Sequence, residues 1–403
     1  MRVLVLNHNL VERGTYFRAL MTAKEFHRRG HDVTFATTGP QYYRAVRAPA
    51  RPRWRGVRTA NWTPFAGVEE ALFPLGLAQR LVLAAERHDL VYAFVHKPVD
   101  HFPARLARAR GAFWLQDWCD LWSSNGGLYD MSQWPEPHPD WTRDGRRHAH
   151  RALQRWEERL EERSARDADA VTIISSWMRG ETRRLGVPDD RVHLYGSGAD
   201  TRRVAVLDKV ASRVRLGVPA QAPMLGYAAN YSHDSMMLEE ALERVWRARP
   251  DAFFLTAGPR FWRDGGPIAR ALAEGRAMDR GRVPFSEIPA VLGASDALVL
   301  PMRDTRFNWS RWPHKFGDYL AAGRPVAITR IGDCARDVEE HRLGAVGAPT
   351  ADGLAAALLD VLARRDEWAA MGARARRLAE TSHSWPARFE GLADFLRGKG
   401  LPV

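Results

Sequence analysis

Short apolar runs, most of them followed by a stretch of helical spacing and then another apolar run, constrain this chain more than any other feature. Arg2–Asn7 (RVLVLN), His31–Ala36 (HDVTFA), Asp89–Phe94 (DLVYAF), Gly111–Leu115 (GAFWL) and Ala170–Ser175 (AVTIIS) read as buried strands. Helical segments separate most of them, such as Tyr16–Arg29, which Gly30 closes. Strands joined through helices form a parallel sheet, and such sheets bind ligands at the carboxyl ends of their strands. The pattern restarts after a break near Asp200–Pro219. Met224–Ala229 (MLGYAA), Ala252–Ala257 (AFFLTA), Ala297–Pro301 (ALVLP) and Pro325–Thr329 (PVAIT) are the second set of strands, with helices at Ser235–Ala248 and Lys315–Ala322.

A chain of 403 residues is too long for one ordinary core. The restart predicts an α/β protein with two Rossmann-like domains facing across a cleft, at residues 1–202 and 203–385. The final helix, near Pro386–Arg397, returns with the tail (386–403) to the first domain. No apolar run reaches the roughly 18 residues of a membrane span, and the first residues read as a strand rather than a signal peptide. Two cysteines, Cys119 and Cys334, suit a reducing cytoplasm. The net charge of +12 suits anionic partners, although scattered arginines are also what base composition alone produces. The segment Arg143–Arg166 mixes both signs at helical spacing. It reads as a solvated helix with internal ion pairs or, as the lesser reading, a peripheral contact with an anionic membrane.

Lysine occurs only at positions 24, 97, 209, 315 and 399. Lys315 lies just inside a helix, in PHKFGDYLAAGRPVAIT (Pro313–Thr329). A helix start presents free N–H groups and partial positive charge, which suits phosphate, and an ammonium is a compact point charge for a diphosphate. Asp318, one turn on, has the chemistry to accept two vicinal hydroxyls. Gly323 and Pro325 end the helix. An ordinary i,i+3 ion pair explains the same two residues.

Asp117 and Asp120 follow an apolar strand and are candidates to orient or deprotonate a hydroxyl, with loop capping as the alternative. His96 also follows a strand. Asp167 and Asp169 form an Asp-x-Asp, but at a helix end where carboxylates are common, and no zinc spacing exists, so no metal and no cofactor is expected. Phosphate-loop and dinucleotide-loop signatures are absent. Tryptophans recur between Trp114 and Trp141 in what reads as a long loop, either an aromatic stacking platform for a ligand or a hydrophobic lid or oligomer contact.

Taken together, these segments resemble a GT-B glycosyltransferase of the large retaining family numbered four. PHKFGDYLAAGRPVAIT is similar to that family's P-x-K-x-x-E-Y-x-A-x-G-x-P-V signature. VPFSEIPAVLGASDALVLP from Val283, FHRRGHDVTFAT from Phe26, LEERSARDADAVTIISSWM and GVPDDRVHLYGSGAD resemble its flanking segments, and DWCDLW from Asp117 resembles a surface-polysaccharide subgroup. The resemblance implies transfer of a sugar, with retention, from a nucleotide-diphosphate donor (UDP first, GDP second) to a saccharide, lipid-linked or small-molecule acceptor. It implies that Lys315 holds the diphosphate, Asp318 the ribose, and backbone at Val283 the base, with Gly14 near the donor phosphates and Asp117 near the anomeric centre. Ser310 stands where the family has the first glutamate of a pair, so Asn308 and Ser310 would supply neutral hydrogen bonds. Asn230, Ser232 and His233 occupy a loop that often carries Arg and Lys. Two other readings stay open: a nucleotide-sugar epimerase of the same fold, and a non-catalytic nucleotide- or nucleic-acid-binding protein. Scattered arginines speak against a nucleic-acid partner.

Overall fold

The computed structural model describes residues 1–10, 14–38, 57–60, 74–122, 126–128, 130, 147–229 and 233–403. They form two compact units. Unit 1 comprises Met1–Gly196, Thr305–Arg311 and Arg388–Val403; unit 2 comprises Ser197–Asp304 and Trp312–Ala387.

In unit 1 the strands are β1 (Arg2–Leu10), β2 (Asp32–Thr38), β3 (Val57–Ala60), β4 (Leu90–Phe94), β5 (Phe113–Trp118), β6 (Ala170–Ile173) and β7 (Val192–Leu194). They make one sheet in the order β3-β2-β1-β4-β5-β6-β7, every described pair parallel. Register runs Arg2↔Asp32 through Leu6↔Ala36, and Val3↔Leu90 through Asn7↔Phe94. Strands with helices on both faces need apolar residues on both, and Leu4, Leu6, Val91, Ala93 and Trp114 pack with Ala104 and Ala107 of the helix Pro98–Ala109. The helix Trp385–Gly398 carries Phe389 onto Phe26, edge to face at 4.7 Å, while Glu390 pairs with Arg29. The tail therefore returns to the first sheet's unit, as expected.

Unit 2 holds β8 (Met224–Ala228), β9 (Phe253–Ala257), β10 (Ala277–Asp279), β11 (Ala297–Leu300), β12 (Val326–Thr329) and β13 (Gly344–Gly347). Their order is β10-β9-β8-β11-β12-β13, again parallel throughout. Leu225, Tyr227, Phe254 and Val299 of the sheet pack with Leu238 and Leu242 of the helix Ser235–Ala248 and with Leu354 and Leu358 of the helix Ala351–Ala363. Each unit is a doubly wound α/β fold.

One segment departs from simple sheet order. Thr305–Arg311 lies in the chain between β11 and β12, yet it packs with unit 1. Arg306 pairs with Glu181 at 2.6 Å, Ser175 donates to the Trp309 carbonyl at 3.0 Å, and the Leu121 N–H donates to Ser310 Oγ at 3.0 Å.

Candidate active site

Unit 2 assembles its candidate residues where β8, β9 and β11 end. The helix His314–Ala322 begins after Pro313, with no side chain capping its first turn, and Gly323 (φ 62°) closes it in the left-handed conformation. Lys315 Nζ donates to the Tyr227 hydroxyl at 3.0 Å and lies 4.6 Å from that ring's centroid. The ammonium is thus held against β8. Asp318 is half-buried, and its carboxyl is pushed up to about 7, by burial first and then by Asp200, against the pull of Arg203. Arg203 also stacks 4.0 Å over Phe285, two residues beyond Val283. Val283 is half-buried, in the stretch that follows β10. Through Arg203 the Val283 stretch and Asp318 become neighbours. Asn230 and Ser232 lie outside the described residues.

Two features here escaped the sequence reading. Arg303 follows β11 and sits beside buried Asp234, which accepts its backbone N–H at 3.3 Å. Its signal was a cation two residues behind the strand run ALVLP. Gly258 (φ 135°) is the second: a Cβ there would fall 1.9 Å from the Ala229 carbonyl oxygen, so only glycine lets the chain pass so close behind β8 and β9.

In unit 1 the ends of β1, β4 and β5 carry the candidates. Gly14 (φ 47°) passes so close to Asn9 that a Cβ would lie 2.3 Å from Asn9 Oδ1. Thr15 ties this turn down, accepting from Asn9 at 3.1 Å and donating to Asn7 at 3.1 Å. Val95 has φ 76°, costly for a β-branched residue. It is held there because its N–H donates to the Asp117 carbonyl at 3.1 Å and its carbonyl accepts from Gln116 at 2.9 Å. His96 follows, fully buried, with neither ring nitrogen hydrogen-bonded to a described residue. Burial, then Lys97, His8 and His101, hold its imidazole neutral, well below the usual range. Trp122 stands edge-on to both His8 (6.0 Å) and His96 (6.3 Å).

Three of the expected features pack inside unit 1. Asp117 is not an open carboxylate: it is fully buried and accepts from Arg18 Nε (2.9 Å), Arg18 Nη2 (2.8 Å) and Thr172 Oγ1 (2.6 Å). Its lone pairs are committed. Ser310, expected at the donor sugar, donates to the Phe307 carbonyl at 2.8 Å and accepts from Leu121, inside unit 1. Asn308 is buried on the same short helix, Arg306–Ser310, where its N–H donates to Thr305 Oγ1 at 3.2 Å. The supposed tryptophan loop begins as strand, since Trp114 and Trp118 are buried parts of β5; Trp134 and Trp141 lie outside the described residues.

Asp120 is the remaining carboxylate. It is half-buried, and burial pushes it up to about 7; Arg311 and Arg18 draw it down while Asp117 raises it. A carboxyl near 7 exchanges protons at neutral pH. It also fixes a sign for stability. Asp120 and Asp318 bind protons in the folded state at pH values where the unfolded chain, near 3.8, has lost them. Their contribution is full below about 4 and is lost as pH rises through about 7. Asp120→Asn is therefore expected to flatten the fall of the urea midpoint between pH 5 and pH 8. Equal slopes in variant and parent would contradict the shift.

Asp167 pairs with Arg163, and Asp169 accepts from Arg108 and from the Trp114 N–H, so the Asp-x-Asp is structural. Among the described residues no group of three His, Cys, Asp or Glu stands close enough to hold a metal.

Two family models match the chain: a glycosyl transferase 4-like domain over residues 13–198, and glycosyl transferases group 1 over residues 222–364. The GDP-mannose-dependent alpha-(1-6)-phosphatidylinositol monomannoside mannosyltransferase of Mycolicibacterium smegmatis is 28% identical over 254 residues. That match spans 59% of this chain and 64% of the relative's length. Among solved structures, the sucrose-phosphate synthase of Thermosynechococcus elongatus superposes with a TM-score of 0.74 at 16% identity, covering 99% of each chain. Anabaena HepE in complex with UDP-glucose gives 0.70 at 17% identity, covering 99% of this chain and all of that one. With both halves matched in order and the whole fold shared, the chain belongs to the GT-B glycosyltransferases.

Proposed function

We propose that this chain transfers a hexosyl group, with retention at the anomeric carbon, from a nucleoside-diphosphate sugar to a hydroxyl of a glycolipid or other saccharide acceptor, in the cytoplasm. The observation that carries the reading is Lys315, held on Tyr227 at the uncapped start of the helix His314–Ala322. Free N–H groups and an ammonium together neutralise a diphosphate, and they gain most as charge builds on the departing group. Asp318 takes the ribose hydroxyls, and the backbone around Val283 takes the base. Arg303, behind β11, adds a second cation to the same strand ends.

On the acceptor side the proposal moves from Asp117 to Asp120 and His96. Asp120 exchanges a proton near pH 7, and neutral His96 offers one donor and one acceptor nitrogen. GDP-mannose takes first place as donor, ahead of UDP-glucose. The sequence relative is named for GDP-mannose, whereas the likeness to the UDP-glucose complex is one of fold alone. No metal is proposed, because the cations and the helix start supply the charge. No described helix is long and apolar enough to cross a membrane, so a lipid-linked acceptor is met at the membrane surface.

Thermal denaturation with GDP, UDP and ADP, followed by incubation with GDP-mannose and UDP-glucose in EDTA, tests this reading. Stabilisation by GDP above the others is expected, with transfer undiminished by the chelator and an α-linked product on NMR. A β-linked product from these α-linked donors would overturn retention. Lack of stabilisation by any nucleotide would overturn the donor assignment.

A further inference from the structure

The stretch that follows β5 carries Asp120, and its backbone is fastened from two directions. The Trp122 N–H donates to buried Glu161 at 2.9 Å, on the same oxygen that the Trp118 indole reaches at 2.8 Å. The Leu121 N–H, next to Asp120, donates to Ser310 Oγ at 3.0 Å. Ser310 is itself fully buried, and its hydroxyl proton is directed to the Phe307 carbonyl at 2.8 Å. The oxygen is thereby turned to Leu121 as an acceptor. Alanine at 310 would leave a buried N–H without this acceptor.

That acceptor comes from 189 residues away in the chain. The short helix Arg306–Ser310 is tied to unit 1 through Glu181 and Ser175, and its next residue, Arg311, lies 4.8 Å from the Phe307 ring. Burial raises the Asp120 carboxyl, and Arg311 is the strongest pull against it. The other groups facing Asp120 are Arg18 from the helix Tyr16–Arg28, Asp117 of β5, and the Cys119 thiol, 3.9 Å away. One short segment therefore supplies both a backbone anchor and a cation to the same carboxylate.

We propose that the helix Arg306–Ser310, with Arg311 behind it, is the positioning element for Asp120: Ser310 fixes the backbone from which the carboxylate projects, and Arg311 is the cation set against it. The inference rests on the reading of Asp120 as the carboxylate that exchanges a proton with the acceptor hydroxyl. Ser310 and Arg311 act through Asp120 and belong to the acceptor side of the reaction, not to the donor sugar.

The pH dependence of kcat/KM, with GDP-mannose as donor, tests it. Arg311→Gln should move the limb near pH 7 upward by about one pH unit, because a charge that favours the ionised carboxylate has gone. Arg311→Lys keeps that charge and should leave the limb near its original place. Arg215→Gln, which removes an exposed charge of unit 2, should not move it. Ser310→Ala should lower kcat about 10-fold, the scale of one buried hydrogen bond, with the KM for donor unchanged. The fall of the urea midpoint with pH reads the same group without turnover, and in Arg311→Gln it should occur at higher pH. If both profiles stay in place in Arg311→Gln, Arg311 does not act on Asp120 and the proposal is overturned. A raised donor KM in Ser310→Ala would place Ser310 on the donor sugar and overturn it as well. Asp120→Asn should abolish the limb. A limb that survives there overturns the acceptor-side reading itself, whereas a limb lost there but unmoved in Arg311→Gln overturns the positioning role alone.

Discussion

Lys315→Ala is expected to lower kcat/KM on the order of 100- to 1,000-fold, the range for removing one donor that meets developing negative charge. The fold should persist, because Lys315 is half-buried and Tyr227 keeps its place in the core through Leu225, Phe254 and Val299. Loss should appear in nucleotide binding as well as turnover, since the ammonium meets the diphosphate in both ground and transition states. Calorimetric titration with GDP separates the two. Lys315→Arg should recover only part of the activity: guanidinium is planar and longer, and Nζ stands 3.0 Å from one hydroxyl. Unchanged nucleotide affinity together with unchanged kcat/KM in the alanine variant would remove the proposed donor site.

The second large effect is on stability. Arg18→Ala should destabilise the protein by about 3–5 kcal/mol, because it leaves Asp117 as a buried charge with no cation. Burial alone would drive Arg18 toward its neutral form, but Asp117 overrides this and holds the guanidinium charged. Arg18 also donates to the Tyr195 carbonyl and lies 4.6 Å over that ring. Removing both partners, as Arg18→Met with Asp117→Leu, should cost less than the sum of the single changes. Guanidinium unfolding midpoints of the three variants decide the matter; additive losses would mean that the pair acts through packing and not charge.

The Arg18–Asp117 pair also shows where sequence reading stops. The inner strands were legible because β1, β4, β8 and β11 are apolar on both faces. The outer strands β3, β7, β10 and β13 were missed. They are three or four residues long, and VRTA, VHL, AMD and GAVG offer no apolar run. The helix after Pro313 was readable from local chemistry, with its stop at Gly323. Asp117 was not: its position at a strand end suggested an open carboxylate, and only the fold brings Arg18 to it from 99 residues away. The packing of Ser310 was hidden for a similar reason, since a family motif fixes its place in the chain but not which surface the short helix around it rests on. Arg303 lay in plain view behind an apolar strand, but among so many arginines it carried no distinguishing mark.

The placement of Thr305–Arg311 has a practical consequence. The polypeptide passes from one unit to the other after residues 196, 304, 311 and 387. No single cut yields two self-sufficient halves. A fragment ending at Gly196 would lack both the Arg306 partner of Glu181 and the Phe389 ring that covers Phe26, leaving one carboxylate without its cation and one apolar ring without its cover.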